Sequence, residues 1–167
     1  MGIVSENKNQ EAAKGNDQVT REFEIRRIYL KDLSFEAPHL PEIFGLAWDP
    51  KVSMDLETNS RKVSEGLYEV VLRVTLTVKL KEQVAFLVEL KQAGVFTLKG
   101  FSSEQLGLML GSFCPNIIFP YIRELVSETI CRSGLPPLYL APINFDALYQ
   151  EQLARRTGDS SGKSNGE

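Results

Sequence analysis

The sequence predicts an α+β domain in which a four-stranded antiparallel sheet is followed by a long kinked helix and a short C-terminal helix. Alternating apolar and polar residues fill much of the chain to about residue 90, and helical spacing takes over from about residue 102. Short connections between neighbouring strand patterns imply antiparallel pairing.

The first strand pattern sets Phe23, Ile25, Tyr29, Leu33 and Phe35 on an apolar face and Glu24, Arg26, Asp32, Ser34 and Glu36 on the other. Strict alternation then turns Ile28 and Leu30 outward. In the second pattern Val52, Met54 and Leu56 alternate with Ser53, Asp55 and Glu57. The third is the clearest, with every second residue from Tyr68 to Leu80 apolar. After a turn at Lys81-Glu82-Gln83, Val84, Phe86, Val88 and Leu90 begin the fourth, leaving Leu87 and Glu89 on the opposite face.

Ser102 or Ser103 can cap a helix that carries Leu106, Met109, Leu110 and Phe113 at helical spacing. Pro115 is expected to interrupt it and start a second segment, with a stripe of Ile118, Ile122, Leu125, Val126, Thr129 and Ile130. Pro120 should kink that segment, and Gly134 with Pro136-Pro137 should end it. Asn144 can cap a last helix bearing Phe145, Leu148, Tyr149 and Leu153.

At 167 residues and 43% hydrophobic content the chain supports one domain, expected over residues 19–156. Residues 1–18 and 157–167 are almost free of large apolar side chains and are expected to be disordered tails. The first sixteen residues lack the apolar stretch of a secretory signal, and no run approaches the roughly 20 apolar residues of a membrane span. The expected location is the cytoplasm, with no direct membrane insertion. A net charge of −3 and a pI near 5.4 argue against nucleic acid as a partner.

The chain's single histidine, His39, sits in a proline-bounded loop with no nucleophile signature nearby. Cys114 and Cys131 lack zinc-site spacing, and on one helix they would stand roughly 25 Å apart. The glycines assemble no phosphate-binding fingerprint. No enzymatic activity, cofactor or metal is expected.

Two surfaces remain. The stretch from Pro38 to Trp48 places Leu40, Ile43, Phe44, Leu46 and Trp48 in an irregular segment unusually apolar for a loop. These side chains either pin the crossover onto the core or wall an apolar groove, with Phe145, Leu148 and Tyr149 opposite; pattern alone does not choose. The outward set Asp32, Glu36, Leu87 and Glu89 is either a solvated face or a patch for a basic partner.

Five strings together resemble the SecB family of bacterial export chaperones: RIYLKDLSFEAPHLPEIF at 27–44, YEVVLRVTLTVKL at 68–80, QAGVFTL at 92–98, CPNIIFPYIREL at 114–125 and LAPINFDALY at 140–149. The resemblance implies a homotetramer, a dimer of dimers whose long helices lie between two eight-stranded sheets, with Val88, Leu90 and Gln92 at the subunit interface. It implies an ATP-independent chaperone that binds unfolded precursor polypeptides in a groove of the crossover loop and last helix. It also implies delivery to the motor SecA, whose zinc-bearing basic tail would dock at Asp32, Glu36, Leu87 and Glu89. A specialised chaperone on the same fold, serving one dedicated partner, is the competing reading. The chain departs from the family's pattern at Gly45-Leu46-Ala47 and at Leu108 to Leu110.

Overall fold

The computed structural model describes residues 20–161, with side chains through residue 158. Strands β1 (Glu22–Glu36), β2 (Pro50–Ser64), β3 (Leu67–Leu80) and β4 (Gln83–Lys99) form one antiparallel sheet in the order β1-β4-β3-β2. Helix α1 (Ser103–Leu108), a π-helical turn (Met109–Phe113) and α2 (Cys114–Arg132) follow, and α3 (Phe145–Ser161) closes the described chain. The expected tail at 1–18 lies outside the described residues, as do 162–167. Helix α3 runs five residues past the boundary expected at 156.

The two hairpins turn at positions that need left-handed backbone, Gly66 with φ 67° and Lys81 with φ 55°. Every second residue of β3 from Val70 to Val78 is fully buried. Phe86, Val88 and Leu90 of β4 join them beneath Ile118, Ile122, Val126 and Ile130 of α2. One face of the sheet is thus covered by the helices and the other carries the charged side chains.

The parity expected for β1 is inverted in its middle. Register shifts between Ile25 and Arg27 and between Leu30 and Asp32 each insert one extra residue. Ile28 and Leu30 pair with Gly94 and Gln92 and so share the inner face with Leu33 and Phe35, opposite to Leu90 and Val88. Tyr29, expected inward, pairs with Ala93 and lies on the outer face. A bulge flips every following side chain, and the second bulge restores the original phase.

Pro115 does not interrupt the helix. The wider π turn ends at Phe113, the Cys114 N–H reaches back to the Met109 carbonyl, and α2 continues from there. Pro115 occupies the first turn of α2, where its missing N–H is least costly. Pro120 lies inside the same uninterrupted span. Residues 103–132 are therefore one helix of 30 residues, which by length and composition alone could cross a membrane, contrary to the expectation for this sequence. In the fold its Ile118, Ile122, Val126 and Ile130 lie on the sheet.

Both expected caps form. Ser102 accepts from the Gln105 N–H while the Gln105 side chain accepts from the Ser102 N–H, at 3.3 and 3.1 Å. Asn144 Oδ1 accepts from the Ala147 N–H at 3.0 Å. Cys114 and Cys131 both lie on α2 as free thiols, and burial pushes the Cys114 thiol up to about 12.

Candidate functional site

The crossover joining β1 to β2 is built around a short 3-10 turn at Glu42–Gly45. Its His39 ring nitrogen Nδ1 lies 3.0 Å from the Val84 carbonyl, which ties the loop to the start of β4. The turn divides the expected groove residues in two. Ile43 is 1% exposed and belongs to the core, while Leu40 and Trp48 are partly buried against it. Phe44 and Leu46 face solvent, and the Phe44 ring stands next to Gly134, just past the end of α2.

Residues of α3 divide in the same way. Phe145 is 3% exposed and packs edge-on against Phe119, ring centroids 5.7 Å apart. Tyr149 lies over Gly107 and Gly111, where an added Cβ would come within 2.6 Å of its hydroxyl and 2.4 Å of its ring, respectively. Those two glycines therefore let α3 approach the π turn closely. The Ser112 hydroxyl, itself buried, donates to Asp146 and fixes the first turn of α3. Leu148 and Leu153 remain exposed.

Phe119 and Gly134, against which α3 and the crossover respectively lie, are roughly 20 Å apart along the helix direction. The two segments thus flank successive stretches of α2. The wall opposite α3 is strand β2. A cleft of about 390 Å³ runs between Met54, Leu56 and Thr58 on one side and Phe145, Leu148 and Gln152 on the other. A second, of about 180 Å³, continues it from Thr58 to Ser60, with Tyr149, Leu153 and Arg156 opposite. The clefts share Thr58, Gly111 and Gln152, so they form one trough, and no crossover residue lines it. Sequence pattern shows Met54 and Leu56 as an inward alternation, but only the placement of α3 beyond β3 leaves them half open.

On the outer face the four expected docking residues share one surface. Glu36 pairs with Leu87, Ser34 with Glu89 and Asp32 with Lys91. Asp32 and Glu36 are exposed, and Leu87 and Glu89 are half-buried. Glu89 accepts from Arg73 and from the Thr75 hydroxyl, each at 3.4 Å, and Arg73 also lies 3.6 Å from Glu57. Its carboxylates are interspersed with Arg73 and Lys91. Val88, Leu90 and Gln92, expected between subunits, are buried within the single chain under its own helices.

Further along the same face lies a cluster that the alternation pattern missed. The Glu69 carboxylate, 3% exposed, accepts from the Tyr29 hydroxyl, from Lys31 Nζ at 2.9 Å and from Arg61 Nε at 2.6 Å. Tyr29 and Lys31 come from one edge strand and Arg61 from the other, and Ala93 on β4 is small enough for Tyr29 to reach across. The hydrogen bond from Tyr29, followed by those from Lys31 and Arg61, outweighs burial and holds the carboxyl down at about 2. Burial and then the Glu69 carboxylate push the Tyr29 hydroxyl up to about 12.

The profile of the family described as preprotein translocase subunit SecB matches residues 16–156. The chain is 53% identical over 138 residues to the protein-export protein SecB of Methylococcus capsulatus, covering 83% of this chain and 89% of that one. It is 45% identical to the protein of the same name from Marinobacter nauticus, over 95% and 96% of the two lengths. In fold it is similar to a SecB-like chaperone of Mycobacterium tuberculosis solved with a peptide from an antitoxin. That match has a TM-score of 0.62 at 21% identity over 72% of this chain and 90% of the other.

Proposed function

The chain belongs to the SecB family of protein-export chaperones, which are not enzymes, and from that premise we propose how its surfaces divide the work. The trough between β2 and α3, together with exposed Phe44 and Leu46 of the crossover, binds apolar segments of unfolded precursors. One observation carries this reading: two adjoining clefts that share Thr58, Gly111 and Gln152 run along β2 and α3, with Met54 and Leu56 facing Phe145 and Leu148 at the apolar end and Ser60 facing Arg156 at the polar end, a shape that fits an extended chain better than a compact ligand. Binding the unfolded chain opposes folding by mass action and needs no ATP. A client that folds quickly buries those segments and escapes.

Assembly as a dimer of dimers is supported by the apolar surface that one chain leaves uncovered. Ile25, Leu30 and Leu33 on the inner face of β1, and Leu108, Phe113 and Tyr121 along the long helix, are all exposed in the single protomer. Closed association of copies would cover them. Val88, Leu90 and Gln92 then support the interface from beneath α2. Several troughs on one tetramer would raise avidity for a long client. The outer face at Asp32, Glu36, Leu87 and Glu89 receives the basic, zinc-bearing tail of SecA, the zinc belonging to the partner. The cytoplasm is the compartment where such a cycle would run.

Native mass spectrometry with and without an unfolded precursor tests holding and assembly together. The expected result is a four-chain mass that takes up the unfolded precursor and ignores its folded form. Equal uptake of both forms, or of neither, would overturn the reading.

A further inference from the structure

On the outer face of the sheet two lysines stand directly opposite each other. Lys51 of β2 pairs with Lys79 of β3, which roots their side chains about 5 Å apart, and both are exposed. Like charges so placed oppose strand pairing, and neither lysine forms an ion pair among the described residues. Lys81, two residues on, is exposed and also without an ion pair there, and it holds a left-handed turn position (φ 55°) that glycine would occupy at less cost. Protection of an open edge accounts for Lys51 on β2 but not for Lys79, which is on a central strand. Two local choices thus cost stability at one place with no partner inside the chain, the pattern expected where a surface serves binding.

The position of the pair is the second observation. Going back along β3 from Lys79, the next outward residues are Thr77, which pairs with Leu87, and Thr75, whose hydroxyl donates to Glu89. Leu87 in turn pairs with Glu36. The lysine pair therefore lies about 7 Å along the strands from the level of Leu87 and about 13 Å from that of Glu89, on the same surface. A stable interface covers roughly 800 Å² of each partner, far more than a few side chains, so whatever covers Glu36, Leu87 and Glu89 also reaches these lysines. A uniformly basic segment would be repelled there. We propose that this face docks a bipolar segment, with basic residues over Glu36 and Glu89 and an acidic pair, about four extended residues away, seated on Lys51 and Lys79. Two facing cations call for two carboxylates, which favours acidic side chains over a single chain terminus. The inference rests on the docking reading and adds a direction, because the reversal of charge along the strands admits such a segment in one orientation.

The test uses the full chain and three peptides, titrated by calorimetry at low salt. The first carries four Lys, a Gly-Ser-Gly spacer and Ser-Ser, amidated at its C-terminus; the second replaces Ser-Ser by Asp-Glu; the third is the first with a free C-terminal carboxylate. The net charge of −3 on the chain favours the Ser-Ser peptide non-specifically, so the proposal predicts the opposite order to bulk electrostatics. The Asp-Glu peptide should bind at least about fivefold more tightly than the Ser-Ser peptide. That advantage should vanish in the double variant Lys51→Thr/Lys79→Thr, at exposed positions where threonine suits a strand. Equal binding of the first two peptides, both weakened by Glu89→Lys, would overturn the bipolar segment and leave docking of a basic partner standing. An Asp-Glu advantage that survives in the double variant would also overturn it. A gain shown by the free terminus alone would assign the lysines to a chain end, against the acidic pair. No binding of any peptide, or binding indifferent to Glu89→Lys, would remove the docking reading and the proposal together.

Discussion

Strands β1 and β2 are both sheet edges, yet they are held in place by different means. In β1 the ladder is interrupted twice, and Tyr29 and Lys31, which stand between and at those interruptions, are drawn onto Glu69 two strands away. In β2 the ladder runs unbroken to Lys62, with Arg61 as its contribution to the same carboxylate, and its inner face is left half open beside α3. Side-chain bonding fixes register where backbone pairing is irregular. Where pairing is regular, the strand can leave apolar side chains available for binding.

The strongest way to break this contrast is Glu69→Gln, which removes the charge that three donors share. We expect a loss of about 2 kcal/mol in chemical denaturation, because three hydrogen bonds to a buried carboxylate become weaker bonds to a neutral amide, while Lys31 and Arg61 stay partly solvated. A change below about 0.5 kcal/mol would mean that the cluster does not hold β1. Acid titration sharpens the same point. The Glu69 carboxyl is lowered from 4.5 to about 2 in the folded chain, so its stabilisation is full above pH 4.5 and is lost as the pH falls toward 2. Across that window the Glu69→Gln variant should show a flatter decline in stability than the parent.

Deleting Lys31, the extra residue of the second bulge, leaves Asp32, Leu33 and Phe35 opposite Lys91, Leu90 and Val88 in one-to-one pairing, so the cost should be limited to the lost ion pair with Glu69, about 1 kcal/mol. A loss above about 2 kcal/mol in chemical denaturation would mean that the bulge itself holds the strand. For β2 the corresponding change lies across the trough. Leu148→Ser, at an exposed site, should weaken binding of an unfolded precursor about tenfold in calorimetry and leave stability within about 0.5 kcal/mol. The smallest expected stability effect is at Glu89→Lys, whose 3.4 Å contact with Arg73 is partly exposed, again within about 0.5 kcal/mol. If the proposed docking holds, the same variant should bind a SecA-tail peptide more weakly, and unchanged affinity at low salt would remove Glu89 from the proposed docking surface.

How legible each region was in the sequence follows from the same contrast. The alternation of β2, β3 and β4, the capping residues Ser102, Gln105 and Asn144, and the positions of the helices were readable because each obeys a fixed period or a local hydrogen-bonding rule. The middle of β1 was not, since a bulge has no residue signature there and one uncounted residue exchanges the faces assigned to Ile28, Tyr29 and Leu30. The continuity of the helix through Pro115 escaped because a π turn upstream absorbs the missing N–H. Of the expected groove residues, Phe44, Leu46 and Leu148 are exposed, whereas Ile43 and Phe145 are core residues. Apolar composition does not separate these two fates. The pair Gly107 and Gly111, four residues apart on one helix face, is the signal that would have pointed to the docking of α3 and hence to β2 as the other wall.

The central claim is that this chain holds polypeptides because they are unfolded. Calorimetric titration of one precursor, presented first in a state kept unfolded and then in its folded form, tests that claim most directly. The account predicts saturable binding of the unfolded form and no measurable heat from the folded one. Equal affinity for both, or binding of the folded form alone, would contradict it.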